Sequence, residues 1–370
     1  MKLRKRILVV DDSVVVRRAV TTWLAADPEL LVAATASTGK LALERLEQTN
    51  PDLVLLDLEM PEMDGLESLR RIRATHPDLP VLVFSASTER GALLTLDALS
   101  AGASDYLAKP ASIGGRASSS DAVRAELLAK IHALTTRDEP KDGPRDEPGP
   151  QPASQARGST PARAASIEAI VIGASTGGPN AVRDVLAALP SELAAPVLVV
   201  QHMPAVFTRI FAERLDAELP FVVREAVAGE LLQRGQVWIA PGDHHLGLVR
   251  DEFGVRLVLS RGPLENSCRP AVDVLFRSAA TCFGRAVLGV VLTGMGQDGV
   301  RGAETIRAAR GQVIVQDEAS SVVWSMPGSV AKAGLAHAVL PLSEIGPEIM
   351  RRVGRAPDHA VQLASARSKR

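Results

Sequence analysis

Short, largely apolar runs alternate with amphipathic segments along most of this chain. In the first half the runs fall at 7–10, 30–34, 53–57, 80–85 and 104–108, and the segment 39–47 carries Leu41, Leu43 and Leu46 at helical spacing. Strands that are apolar on both faces belong to a parallel sheet covered by helices on both sides, whereas a half-solvated sheet would show alternation. Five such repeats predict one small doubly wound α/β domain over residues 1–134. The rhythm returns from Ile167. IEAIVIGAS predicts a strand and a turn, PNAVRDVLAAL a helix, PVLVVQH a strand and AVFTRIFAERL a helix, with further strands in RAVLGVVLTGM and GQVIVQD. A second α/β domain is therefore predicted over 167–352. Residues 135–166 are rich in Pro, Gly and charge and hold no long apolar side chain. They cannot bury enough surface to offset their ordering entropy and predict a flexible linker. Residues 353–370 predict a frayed tail.

Composition narrows the function classes. The chain is 46% hydrophobic and 23% charged, as expected of protein that buries sizeable cores. A net charge of -1 provides no drive toward nucleic acid, and 3% aromatic residues argue against base-stacking platforms. No run approaches the roughly 20 apolar residues of a membrane span. The basic, then apolar N-terminus is interrupted at Asp11 and Asp12, so it does not fit an export signal. Cys268 and Cys282 stand in no metal-type spacing, and two cysteines are too few for a disulfide scaffold. We expect a cytoplasmic protein with neither nucleic-acid binding nor direct membrane insertion.

Chemistry in open parallel sheets gathers at the carboxyl ends of strands. In the first domain those ends carry Asp11 and Asp12, Asp57, Ser85 and Lys109. Converging carboxylates would repel without a hard cation between them, and Mg²⁺ takes oxygen ligands of this kind. An Asp carboxylate can accept a phosphoryl group, and a Lys ammonium and a Ser hydroxyl can bind its oxygens. These residues, together with LLDLEMPEMDG and the Lys109-Pro110 pair, resemble the receiver domain of two-component response regulators. The resemblance implies a flavodoxin-like fold with Asp57 as phospho-acceptor. It also implies Asp11, Asp12, Asp57 and the backbone of Glu59 as Mg²⁺ ligands, Ser85 and Lys109 as readers of the phosphoryl group, and Tyr106 as an aromatic that changes rotamer.

In the second domain Gly173-Ala-Ser175-Thr-Gly177-Gly178 closes a strand and opens a helix. Flanking glycines permit the tight turn that lifts a nucleophilic serine from the sheet end, and the helix N-terminus suits a developing oxyanion. The rival reading is a phosphate-binding turn, but neither G-x-G-x-x-G nor a Gly-Lys-Ser/Thr ending is present. His202 follows the next strand directly and is the candidate base, with His244 and His245 of APGDHHL as competitors. Asp298, in the glycine-rich turn LTGMGQDGVRG, is the candidate orienting acid, and a plain turn residue is its alternative. The order Ser, His, Asp differs from the α/β-hydrolase order, so such a triad would be convergent.

The segments IGASTGGP, VVQHMP, IAPGDHH, RPAVDVLFRSAA, LTGMGQDG and VVWSMPGSV resemble the catalytic domain of chemotaxis protein-glutamate methylesterases across most of 167–345. That resemblance implies a Rossmann-like domain and a phosphorylation-activated serine esterase that needs no cofactor for its ester chemistry. Its nucleophile, base and acid would be Ser175, His202 and Asp298, with Met295 near the oxyanion site. Thr176, by adjacency, and Arg269, as a cation able to hold receptor carboxylates, are further candidates in the substrate neighbourhood. The same enzyme would deamidate glutamine. Its implied partners are methyl-accepting chemotaxis receptors as substrate and a chemotaxis histidine kinase as phosphodonor.

Overall fold

The structure is a computed structural model that describes residues 4–110, 117–136 and 166–353. The expected linker therefore falls outside the described residues from 137 to 165, and the expected tail from 354 onward. The last helix of the first domain runs to Thr135, one residue beyond the expected boundary.

Five strands form the first sheet: β1 (Lys5–Val10), β2 (Leu30–Ala36), β3 (Leu53–Asp57), β4 (Val81–Ala86) and β5 (Asp105–Lys109). All pairs are parallel and the order is β2-β1-β3-β4-β5, the flavodoxin-like arrangement. The five apolar runs read from the sequence are these five strands. Their side chains alternate between faces. Ile7, Val9, Leu53 and Leu55 meet α1 (Val14–Ala25) and α5 (Ala117–Thr135). Leu8, Val10, Val54 and Leu56 meet α2 (Gly39–Thr49), α3 (Gly65–Thr75) and α4 (Glu89–Ser100). Ser13, Thr38, Asp64 and Thr88 cap the first four helices by accepting a backbone N–H, so each strand-to-helix turn starts its helix at a fixed point. The register pairs Val10 with Leu56, which leaves Asp11 and Asp57 side by side at the sheet edge.

The second sheet has seven parallel strands in the order β14-β13-β12-β6-β7-β9-β8. They are β6 (Ala169–Ala174), β7 (Val197–Gln201), β8 (Val223–Glu225), β9 (Val237–Ile239), β12 (Val287–Val291), β13 (Gln312–Gln316) and β14 (Ala338–Leu340). An antiparallel hairpin, β10 (His245–Asp251) and β11 (Gly254–Ser260), packs on this domain against α8. The helices are α6 (Gly178–Ala187), α7 (Ala205–Glu218), α8 (Val272–Phe283), α9 (Val300–Ala308), α10 (Ser325–Lys332) and α11 (Leu342–Val353). After β6 the chain winds one way through β7, then returns to the other side of β6 as β12. The topological switch point thus lies between β6 and β12, where open sheets of this kind form their crevice.

The two domains share an apolar seam. Tyr106 at the end of the receiver-like sheet stacks on Phe207 of α7, with ring centroids 4.9 Å apart. Helix α4 lies against α7. There Arg214 Nη1 pairs with Asp97 Oδ1 at 2.8 Å, Arg209 pairs with Glu89, and Asn180 Nδ2 donates to the Leu99 carbonyl at 2.9 Å.

Phe276 of α8 is fully buried, and Gly302 lets α9 approach it so closely that a Cβ there would lie 2.4 Å from the Phe276 Cβ. Phe276→Ala should leave a cavity under α9 and cost about 3–5 kcal/mol of stability. A urea unfolding curve with an unchanged midpoint would show that this packing does not hold the second domain together.

Candidate active site

The receiver-like crevice is built from strand ends. Asp11 and Asp57 are each 2% exposed and Asp12 is exposed, and one carboxylate oxygen from each lies within 4.8 Å of the others. Lys109 Nζ sits between two of them, 2.8 Å from Asp11 Oδ2 and 2.7 Å from Asp57 Oδ2. Burial pushes the Asp57 carboxyl up to about 6 against the opposing charge of Lys109, with Asp11 adding to the rise. Burial would lower Lys109, but Asp57 and Asp11 outweigh it and raise the ammonium above its usual value. Asp11 Oδ2 accepts no directed hydrogen bond despite its ion pair. Three convergent carboxylates with a spare buried oxygen form an oxygen-only donor set that fits a hard divalent cation. The Glu59 backbone N–H donates to Asp57 Oδ1 at 3.3 Å, which ties this residue to the same crevice. Ser85 Oγ donates to the Gly91 carbonyl at 3.1 Å, so its hydroxyl is engaged with α4. Tyr106 is clamped at the domain seam by Phe207.

The second crevice lies at the switch point. The β6–β7 register pairs Ala174 with Gln201, so the next residues, Ser175 and His202, emerge side by side. Gly177 adopts a left-handed conformation, φ 74°, and its neighbour Gly178 leaves no room for a Cβ, which would meet Gln201 Oε1 at 2.0 Å. Gln201 Nε2 in turn donates to the Ser175 carbonyl at 2.9 Å and braces the turn. The Ser175 N–H donates to the Thr293 carbonyl, which ties the turn to the β12 side of the crevice. Thr176 is buried, and its hydroxyl has no hydrogen-bond partner among the described residues. Met295 is half-buried and follows Gly294, where an added Cβ would lie 2.9 Å from the Ser175 Cβ.

His202 Nε2 bonds Asp298 Oδ2 at 2.9 Å, and the two side chains are 12% and 2% exposed. Burial acts to raise the Asp298 carboxyl. The hydrogen bond and charge of His202, with backbone N–H donors of Val272 and Asp273, bring it below the usual carboxylate value. Burial acts to lower the imidazole, but hydrogen bonds to Asp298 and Cys268 outweigh it and lift His202 to about 10. The second ring nitrogen, Nδ1, lies 3.5 Å from Cys268 Sγ, and among the described residues no hydrogen bond joins it to Ser175 Oγ. The rival histidines are committed elsewhere. His245 bonds the Pro263 carbonyl through Nε2 and the Ala271 N–H through Nδ1, while His244 contacts the Gly242 carbonyl and Arg261.

Arg269 lines the same cavity as His202, but its guanidinium is bound to Asp243 and to the Gly262 carbonyl. In this structure it braces a loop and is not a free anion clamp. That cavity, about 440 Å³, is also walled by Tyr106 and Lys130, so the first domain forms part of the rim around His202. Sequence reasoning missed Cys268, Gln201, Asn266 and Asp273. Asp273 lies in RPAVDVLFRSAA and Gln201 in VVQHMP, so those two segments carried the signal that existed, while Asn266 and Cys268 fell in no segment singled out.

Comparison with known proteins agrees with both halves. A model for the response regulator receiver domain matches residues 7–115, and one for the CheB methylesterase matches residues 170–349. A protein-glutamate methylesterase/protein-glutamine glutaminase of Nocardioides sp. is 52% identical over 352 residues, which is 95% of this chain and 96% of that protein. Its namesake in Trichodesmium erythraeum is 48% identical over 94% of this chain and 99% of its own length. The crystal structure of the Thermotoga maritima CheB methylesterase catalytic domain is 42% identical, covers 50% of this chain and 97% of that one, and superposes with a TM-score of 0.49. With a receiver domain in front, a methylesterase domain behind and relatives matching nearly end to end, this chain belongs to the protein-glutamate methylesterase/protein-glutamine glutaminase family.

Proposed function

We propose that this chain is a phosphorylation-activated esterase that hydrolyses glutamate γ-methyl esters on chemoreceptors and deamidates glutamines at equivalent sites. The observation that carries the reading is the buried His202–Asp298 hydrogen bond one register position from Ser175, at the sheet's switch point. No helix among the described residues is long and apolar enough to cross a membrane, and we place the enzyme in the cytoplasm.

In this mechanism Ser175 Oγ attacks the ester carbonyl while His202 Nδ1 takes its proton, replacing Cys268 as the partner of that nitrogen. Asp298 keeps Nε2 protonated and stabilises the imidazolium. The backbone N–H groups of Thr176 and Met295 donate to no acceptor among the described residues and are free to meet the oxyanion. His202 returns the proton to the departing methoxide, which leaves as methanol, and water then attacks the acyl-enzyme with the same base. An amide carbonyl passes through the same tetrahedral intermediate and releases ammonia, which gives the glutaminase activity.

Control follows from the docked receiver. A histidine kinase would supply the phosphoryl group to Asp57, and Asp11, Asp12, Asp57 and the backbone carbonyl of Glu59 would hold Mg²⁺, which would neutralise the crowded anions. Lys109 and Ser85 would bind the new phosphoryl oxygens. Both now hold other partners, so their recruitment must disturb β4, β5 and the start of α4. Tyr106 of β5 and α4 itself form the seam against α7, so that disturbance reaches the rim of the His202 cavity. This is a population shift between docked and undocked packings.

Ser175→Ala should abolish methanol release from methylated receptor membranes while leaving the melting temperature unchanged. Normal release by this variant would remove Ser175 from the mechanism.

Asp298→Asn should lower kcat by about 10³- to 10⁴-fold. It also removes a charge that holds the imidazolium, so the acid limb of the pH–rate profile should move to lower pH. A full rate, or a limb displaced upward, would return Asp298 to the role of a turn residue.

Asp57→Ala should eliminate stimulation by a small phosphodonor and leave basal turnover intact. Removal of residues 1–150 should raise basal turnover and make it indifferent to phosphodonor. A truncated enzyme slower than the unphosphorylated full chain would make the receiver an activator that completes the site.

A further inference from the structure

The turn that precedes Arg269 reaches into the candidate triad from outside the residues discussed so far. Glu265 and Cys268 exchange both backbone hydrogen bonds, and the two residues between them have positive φ, 51° at Asn266 and 63° at Ser267. This is the pattern of a type I′ turn, in which Asn is favoured at the first central position. Turn geometry alone thus accounts for an Asn here. It does not account for where the side chain goes. Asn266 Nδ2 lies 3.0 Å from Asp298 Oδ1 and 2.9 Å from Asp273 Oδ2. Facing two carboxylates, the amide must present its nitrogen, because the oxygen would meet two acceptors.

Asp273 and Asp298 are both 1% exposed. Asp298 Oδ1 also accepts from the Asp273 and Gly299 N–H groups at 3.0 Å, and Oδ2 from Val272 N–H at 2.7 Å as well as from His202. Asp273 Oδ1 accepts from Gly299 at 3.0 Å and Gly302 at 2.7 Å. Two buried carboxylates therefore share one backbone donor and one side-chain donor. Every backbone donor comes from the ends of α8 and α9. The amide of Asn266 is the side-chain donor that binds both acids, and it comes from a third element. It is also the donor on the solvent side, since Asn266 itself is exposed.

We propose that Asn266 is a positioning residue for the reaction. One amide hydrogen fixes Asp298 and the other fixes Asp273, and this holds the Asp298 carboxylate in the orientation that engages His202. The proposal rests on the reading of Asp298 as the acid of the triad. Asn266 touches neither Ser175 nor the reacting ester, so its effect passes through Asp298.

Two substitutions separate this role from the turn. Asn266→Gly keeps a residue at home in the left-handed region and removes the amide. Asn266→Asp keeps size and turn preference but turns the donor into an acceptor beside Asp298 and Asp273. Both are tested in the full chain with acetyl phosphate as phosphodonor, by methanol release from methyl-esterified chemoreceptor membranes, with Asp298→Asn in parallel. Asn266 is exposed but its amide serves two buried acids, so the melting temperature of each variant should fall by about 2–8 °C, and kcat is read well below the onset of unfolding. In both, kcat should fall about 10- to 100-fold with KM unchanged. In Asn266→Asp the acid limb of kcat should also move to higher pH, because an added carboxylate stabilises the His202 imidazolium; in Asn266→Gly it should not rise. The other titratable groups around this cluster are Cys268 on His202 and the Glu265–Arg277 ion pair, and neither substitution alters them directly. Asn266→Gly with parental kcat overturns the proposal, and so does a drop in kcat that merely follows lost folding in both variants. If Asp298→Asn is inactive while Asn266→Gly is fully active, this inference alone fails. If Asp298→Asn is itself fully active, the inference falls together with the triad.

Discussion

A carboxylate that is 1% exposed, yet ionised, has to be surrounded by donors, and that requirement shapes the catalytic half of this protein. Asp298 collects N–H groups from Val272, Asp273 and Gly299, the amide of Asn266 and the imidazole of His202. These donors come from a helix start, a glycine turn, a type I′ turn and a strand end. Their convergence fixes the relative positions of α8, α9, the 265–268 turn and β7. The neighbouring Asp273, pushed up by burial and by the charge of Asp298, shows the electrostatic strain of packing two acids together. The glycines that let α9 approach α8, and the one that lets the chain turn at Ser175, are consequences of the same crowding.

The two domains solve one problem at two sheet edges. In each, the register of adjacent parallel strands brings polar residues together just beyond the apolar ladder: Asp11 beside Asp57 in one, Ser175 beside His202 in the other. The receiver gathers negative charge, relieved in part by Lys109 and suited to a cation. The esterase gathers the buried carboxylates of Asp273 and Asp298 and sets the imidazole of His202 on Asp298 through Nε2. Between them the Tyr106 ring stacks on Phe207, and Tyr106 and Lys130 wall the cavity beside His202, which puts the first domain at the rim of the second domain's crevice.

Much of this was legible in the sequence, for a physical reason. A buried parallel strand is a continuous apolar run, and a polar residue at its carboxyl end stands out against it. All five receiver strands and four of the seven esterase strands could be read that way, as could Asp11, Asp57, Ser175 and His202. The strands β8, β9 and β14 were not, because each has only three residues, too short a run to stand out. The hairpin β10–β11 was missed because charged Arg250, Asp251 and Arg256 fall within its strands and interrupt the apolar run, which reads as loop. Asn266, Cys268 and the Arg269–Asp243 pair were illegible for a different reason. Their partners lie 26 to 66 residues away for His202 and Asp243, and 32 for Asp298, and no local pattern records which loop tips meet. Arg269 in particular looked like a free cation for substrate, and only the folded arrangement shows what it holds.

The account depends most directly on a nucleophilic Ser175 that the docked receiver shields. An alkyl fluorophosphonate, which phosphonylates an activated serine with loss of fluoride, tests both parts at once. Incubated with the full chain, it should label Ser175 as located by peptide mass spectrometry. Labelling should accelerate when acetyl phosphate is added, and the Asp57→Ala protein should not respond. Labelling at another residue, or a rate at Ser175 unaffected by phosphodonor in the native sequence, would contradict the account.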